Sequence, residues 1–215
     1  MSELSVEQQE AMKSAELGGL KKKLNAASWS DHMEDLMKSW GEKAAGLRWM
    51  HNAAAGSWKA VSNKLTLTGI VLTTVSSAAA FGSSSIDSPA MMYTLGGIGA
   101  VASLVQSIKK FYQADEKAAD HAAIAKQFGS FYRAMTLELG MSREDRRPAD
   151  EMCGWAAKEY DRMQQDAPQL GGNIVSAFKK VFKHQQSIPD VAEDHFIIEV
   201  QGRIEETVEE DSESA

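Results

Sequence analysis

The sequence predicts an all-α protein, a two-helix transmembrane hairpin extended into a cytoplasmic helical bundle. Three observations carry that expectation. Residues 65–108 read LTLTGIVLTTVSSAAAFGSSSIDSPAMMYTLGGIGAVASLVQSI, and Asp87 and Tyr93 are the only ionisable side chains among these 44, although charged residues make up 25% of the chain. Apolar residues on both sides of the run recur at three, four and seven residue steps, the spacing of a stripe along one helix face. Lysines flank the run at both ends, and none lies within it.

The first segment, 1–28, is polar. It has no basic start and no apolar stretch of signal-peptide length, and Ser2 stands where myristoylation needs glycine, so membrane entry is expected through an internal segment. From 29 to 64, Trp29, Met33, Leu36, Trp40, Leu47, Met50, Ala54, Trp58 and Val61 mark a long helix leading to the membrane. Ser28 and Ser30 are candidate caps. Gly41, Gly46 and Gly56 allow kinks, but no proline interrupts the pattern before Leu65. With an apolar stripe available, Trp40 and Trp49 are expected in a core, and Trp58, nearest the membrane, at an interface.

The hairpin itself divides into 65–86 and 88–108, which are 22 and 21 residues without a charge. As helices each would be roughly 31 to 33 Å long, matching a hydrocarbon thickness of roughly 30 Å. GSSSIDSP, from Gly82 to Pro89, supplies the small polar residues of a turn and a proline suited to the first turn of the next helix. Lys59 and Lys64 before the run, and Lys109, Lys110 and Lys117 after it, place both termini on the cytoplasmic side. Small residues recur along each segment: Gly69, Thr73, Ser77, Ala80 and Ser84 in the first, Gly96, Ala100, Ser103 and Ser107 in the second. Such stripes let membrane helices approach closely, either within the hairpin or between copies. GIGAVA from Gly97 fits a loose nucleotide fingerprint, but it sits inside an uncharged helical run without the strand that motif requires.

Residues 109–190 continue as a cytoplasmic helical bundle. Phe111, Tyr112, Ala118, His121, Ala125, Phe128, Phe131, Tyr132, Met135 and Leu139 extend the second hairpin helix in the same spacing. After SREDRRPADE, Pro148 opens a shorter segment with Met152, Trp155, Tyr160 and Met163 that stops at Pro168. Ile174, Phe178, Val181 and Phe182, with Lys179, Lys180, Lys183 and His184, form a short basic helix that either lies on an anionic leaflet or packs on the bundle. Residues 191–215 are expected to start as a helix from Val191 to Val208 and end in an acidic tail. Glu205, Glu206, Glu209, Glu210, Asp211 and Glu213 account for nearly all of the net charge of −7, so the body is not a basic nucleic-acid binder.

No catalytic constellation is present. The chain lacks a phosphate-binding G-x-x-x-x-G-K-[ST] loop, H-E-x-x-H, G-x-S-x-G and paired cysteines, and its one cysteine, Cys153, is expected on a helix, half-buried. Two groups hold acids near histidine: Glu116, Lys117, Asp120 and His121, and Asp31, His32, Glu34 and Asp35. Both read as solvated helix faces. His51, His184 and His195 are dispersed singletons. No enzyme activity, metal or cofactor is expected.

EKAADHAAIAKQFGSFYRAMTLEL, from Glu116 to Leu139, resembles the SLATT family, the SMODS and SLOG associating two-transmembrane effectors. Two apolar helices followed by an A-x-x-H-x-x-A-x-x-[FY]-x-x-[LF]-x-R rhythm mark that family. Ala118, His121, Ile124 or Ala125, Phe128, Phe131 and Arg133 take comparable places, and YDRMQQDAPQL, with Tyr160 and Pro168, is similar to a later stretch. The resemblance spans about residues 30 to 172. It implies an oligomeric membrane effector or pore that permeabilises the bilayer beside a nucleotide-signalling partner. Members in large DNA viruses imply an alternative, a structural virion protein linking an internal membrane to capsid proteins. A soluble helical scaffold is the third expectation.

Overall fold

The computed structural model describes residues 6–83 and 89–193. Within them the chain forms α1 (Val6–Ser28), α2 (Asp31–Ser83), α3 (Pro89–Tyr112), α4 (Ala114–Gly140), α5 (Ala149–Asp166) and α6 (Gly172–Val181), then a 3-10 turn at Asp190–Ala192. There is no strand among the described residues. The expected all-α class is therefore observed. Ser84 and Asp87, expected in a turn, His195 and the acidic tail lie outside the described residues.

The spine is α2. Its 53 residues make a rod of about 80 Å that runs without a break across the expected boundary at Lys64. Ser30 starts it, its Oγ accepting the Met33 N–H at 3.3 Å. Asp31 and Glu34 in the first turn favour the positive end of the helix dipole. Gly41 and Gly46 are sites of close approach and leave the helix unbroken. A Cβ at Gly41 would lie 3.2 Å from the Met135 Cβ, and one at Gly46 would lie 2.6 Å from Pro189 Cγ and 3.1 Å from Phe178 Cζ.

Along α2 the partner helix runs antiparallel in a single register. Gly41 meets Met135, Arg48 lies on Gly129, Trp58 faces Lys117, Gly69 faces Gln106 and Ser76 lies near Gly99. From Gly41 to Ser76 this pairing covers about 53 Å. The second hairpin helix was expected to continue unbroken into the bundle, and here the structure corrects the expectation. Gln113 adopts the left-handed conformation (φ 47, ψ 41), ending α3 and starting α4. That backbone region is costly for a residue with a side chain.

Around the lower half of α2 the core collects Met37, Met50, Phe128, Met135, Met152, Met163 and Phe178, all essentially inaccessible to solvent. Trp40 stacks on Tyr160 with ring centroids 6.2 Å apart, and Phe131 stacks on Trp155 at 5.7 Å. Helix α6 packs on the bundle: Phe178 is buried beside Trp49 at 5.9 Å, while Lys180 and Lys183 face solvent. Trp49 lies fifteen residues below Lys64, roughly 22 Å along the rod. Of the two uses expected for this helix, the structure has the packed one.

SREDRRPADE forms a clasp across the end of the bundle. Arg143 pairs with Asp31 and Glu34, Arg146 pairs with Glu34, and Arg147 pairs with Glu138 at 3.1 Å. Arg146 also donates to the Met141 and Leu139 carbonyls, which end α4, at 2.9 and 3.0 Å. Ser28, expected to cap α2, instead accepts the Ala149 N–H at 3.1 Å and so caps α5. Within the polar 1–28 segment, the end of α1 meets the body through Lys22 to Asp145 and Asn25 to the Arg146 carbonyl. At the other terminus, Val191 belongs to the 3-10 turn and Glu193 is extended, so the helix expected from Val191 does not begin there.

The glycine contacts yield a paired test. Gly46→Val forces a methyl-bearing carbon into Pro189 and Phe178 and is expected to destabilise the body by about 1–3 kcal/mol in chemical denaturation. Gly56→Ala meets nothing within 4 Å and is expected to raise stability by about 0.5–1 kcal/mol. Equal effects of the two substitutions would contradict the packing described.

Candidate functional site

Two places in the rod concentrate features that simple helix packing does not need. One is the uncharged arm built from the end of α2 and from α3. The other is a pair of histidines where α2 crosses α4.

In the arm, Gly69 is the point of closest approach, since a Cβ there would come within 2.6 Å of the Gln106 Nε2. Ala102 is buried against the same seam. Thr73, Ser76, Ser77, Gly99, Ala102, Ser103 and Gln106 line a shallow groove of about 390 Å³. Thr73 and Ser77 sit at its exposed margin. The other small residues of α3 point elsewhere: Gly96, Ala100 and Ser107 are exposed, and a Cβ at Gly96 would meet nothing within 4 Å. The side chain of Ala80 lies outside the described residues.

The arm's hydroxyls look inward to their own helix. Thr66, Thr68, Thr73 and Thr74 donate to the carbonyls of Ser62, Lys64, Gly69 and Ile70 at 2.8–2.9 Å. Ser103 and Ser107 do the same to Gly99 and Ser103. These side chains need no water to satisfy their donors. Between them, Leu67, Ile70, Val71 and Val75 on α2, and Val101 and Leu104 on α3, are each about half exposed or more. Among the described residues, no helix is long and apolar enough to cross a membrane.

His121 turns away from Glu116 and Asp120, which are exposed, and into the bundle. There its Nδ1 lies 2.9 Å from the Nδ1 of His51, with both residues almost wholly buried. The His51 ring also stacks on Phe128 at 5.8 Å. One Nδ1 must carry the proton and the other must accept it; two protonated rings would oppose donor to donor in an apolar setting. Burial first, and then the neighbouring His121, hold His51 down at about 4. Burial also lowers His121, against the opposing pull of Asp120. The pair is therefore a neutral hydrogen-bonded pin between α2 and α4.

Of the remaining residues in the resemblance, Ala118, Ile124, Ala125, Phe128, Phe131 and Tyr160 are buried and Pro168 is half-buried. Arg133 is exposed and donates to the Ser130 Oγ at 3.0 Å. The acidic group near the start of α2 is divided: Glu34 is held by Arg143 and Arg146 at about 2, while His32 and Asp35 are exposed. No group of three His, Cys, Asp or Glu side chains is placed to hold a metal among the described residues. Cys153 is half-buried, and burial pushes its thiol up, away from the reactive thiolate.

The histidine pin was not identified from the sequence, although a signal existed. His51 lies four residues after Leu47 and seven before Trp58, on the same apolar stripe. Nothing local couples it to a partner 70 residues away.

The pin makes stability depend on pH with a definite sign. An unfolded histidine titrates near its ordinary 6.5, whereas His51 in the folded chain stays neutral to about 4. Between those values the unfolded state binds the proton, so stability present above pH 6.5 is lost as pH falls toward 4. The expected loss is on the order of 3 kcal/mol in denaturant unfolding. The double variant His51→Leu/His121→Leu should flatten that part of the profile, and an unchanged profile would contradict the buried neutral pair.

No family model, curated protein or solved structure matches the chain.

Proposed function

We propose that the chain is a non-enzymatic integral membrane protein that acts as an oligomer, an effector or pore-type protein of the SLATT kind. The α2–α3 arm inserts as a hairpin over 65–86 and 88–108, and the helical body and both termini remain on the cytoplasmic side. The observation that carries this reading is the outward apolar face of both arm helices, from Leu67 to Val75 and from Val101 to Leu104. A continuous face of this kind is rare on a soluble monomer and marks contact with lipid or protein. The self-satisfied hydroxyls favour lipid, because a bilayer offers no water to unpaired donors. In the sequence the uncharged runs extend to Ile86 and begin again at Ser88, beyond the described side chains of the arm.

The pore reading calls for an oligomer. Two helices from one copy enclose no aqueous path, so conduction requires several copies about an axis. Within one copy the seam uses Gly69, Ala102 and Gln106. The exposed Gly96, Ala100 and Ser107 are left over from that seam and supply a thin face for a neighbouring hairpin. A second reading is a helical scaffold whose arm is covered by protein. It is favoured by the absence, among the described residues, of a helix long and apolar enough to cross a membrane. Extraction distinguishes the two: carbonate-resistant membrane association supports insertion, and full recovery in the soluble fraction without detergent supports the scaffold.

Two experiments test the proposal further. Ser84→Cys should be labelled by an impermeant thiol reagent from outside intact cells, while native Cys153 should react only after permeabilisation. Labelling of both from one side would contradict the hairpin. Gly96→Leu/Ala100→Leu keeps α3 hydrophobic enough to insert and leaves the intramolecular seam untouched. Crosslinked oligomers and vesicle leakage should both fall severalfold while thermal stability in detergent holds. Unchanged crosslinking and leakage would remove this face from the assembly.

A further inference from the structure

The junction between arm and body is a collar of lysines and aromatic rings. The register places Lys64 at the level of Lys110 and Phe111, because Trp58 faces Lys117 below and Gly69 meets Gln106 above. Lys59, Lys109 and Lys117 complete the ring. Asp115 and Glu116 are the acids at this level, and Asp115 pairs with Lys59 at 3.1 Å and Lys109 at 3.7 Å. The ammonium of Lys117 lies over the Trp58 ring, 4.6 Å from its centroid. Lys64 and Lys110 have no acid partner among the described residues, and both are exposed.

Aromatic rings accompany these cations. Phe111 is 83% exposed and meets Tyr112 edge to face at 5.7 Å, immediately before the left-handed Gln113 that separates α3 from α4. A phenyl ring held out in water beside unpaired lysines is unfavourable for a soluble surface. It matches the boundary of a bilayer, where rings sit at the headgroup level and lysines reach anionic groups.

We propose that this collar binds the anionic headgroups of phospholipids in the leaflet next to the helical body, with Lys64 and Lys110 as the phosphate contacts and Phe111 as the wedge beneath them. The inference rests on the membrane reading above. Charge complementarity selects the lipid class: two free ammonium groups favour a headgroup with net negative charge over a zwitterionic one. Each lysine is expected to raise local anionic lipid roughly fivefold, the equivalent of about 1 kcal/mol. Screening by salt should weaken the preference.

The test uses the full chain in bilayers that mix phosphatidylcholine with phosphatidylglycerol, with bromine carried on the tails of one lipid at a time. Phe111→Trp puts the reporter at the level of Lys64 and Lys110, whereas the native tryptophans lie at or below Trp58, about 9 Å or more on the water side of Lys64. In that chain brominated phosphatidylglycerol should quench the added indole severalfold more than brominated phosphatidylcholine at equal content. Adding Lys64→Gln/Lys110→Gln should equalise the two while the protein stays in the membrane fraction. Strong but equal quenching by both lipids in the chain that keeps both lysines would overturn the collar and leave insertion standing, as would a preference that survives their substitution. No quenching by either lipid would overturn insertion and the collar together.

Discussion

The antiparallel contact of α2 with α3 and α4 sets the position of every other element. It is made by exchanging size across the seam: Gly41 admits Met135, Gly129 admits Arg48 and Gly69 admits Gln106. Each glycine brings a backbone close enough for a long side chain to lie flat across it. Because the register stays constant, a residue's height on α2 fixes its neighbours on the partner helix over about 53 Å. The histidine pin, the lysine collar and the polar groove are successive levels of the same contact.

What changes along the rod is its outer surface. Around the lower half, α5 and α6 cover α2 and α4 with Met152, Met163 and Phe178, and the clasp of Arg143, Arg146 and Arg147 ties the ends of the helices together. Around the upper half nothing in the described chain covers Leu67, Ile70, Val71 or Leu104. Two solvents for one helix pair would account for this division. In the proposed reading the lower half meets water and the upper half meets lipid and other copies. The internal hydrogen bonds of Thr66, Thr68, Thr73 and Thr74 adapt a moderately polar sequence to the second environment.

The elements legible in the sequence were those whose signals are local. Spacing of apolar residues located α2 and α4, and Pro89 and Pro148 marked the beginnings of α3 and α5. Features that depend on register were hidden. Gly96, Gly97 and Gly99 look equivalent in sequence, yet of these only Gly99 lies near the opposing helix, at Ser76. His51 and His121 carried no local mark of their pairing across 70 residues. The left-handed break at Gln113 had no glycine or asparagine to signal it. The SREDRRPADE segment marked only a helix start at Pro148, because nothing local pairs its arginines. Only against Asp31, Glu34 and Glu138 do its arginines become a clasp.

The central claim is that one continuous rod passes from water into lipid at the level of Lys64. Spin labels placed singly at the exposed positions Ser57, Asn63, Leu67, Val71 and Val75 of α2, in the full chain reconstituted in bilayers, measure this directly through collision with oxygen and with a water-soluble nickel complex. Below Lys64 the nickel complex should dominate. Above it, oxygen accessibility should rise and nickel accessibility fall progressively toward Val75. High nickel accessibility at Leu67, Val71 and Val75 alike would contradict the account.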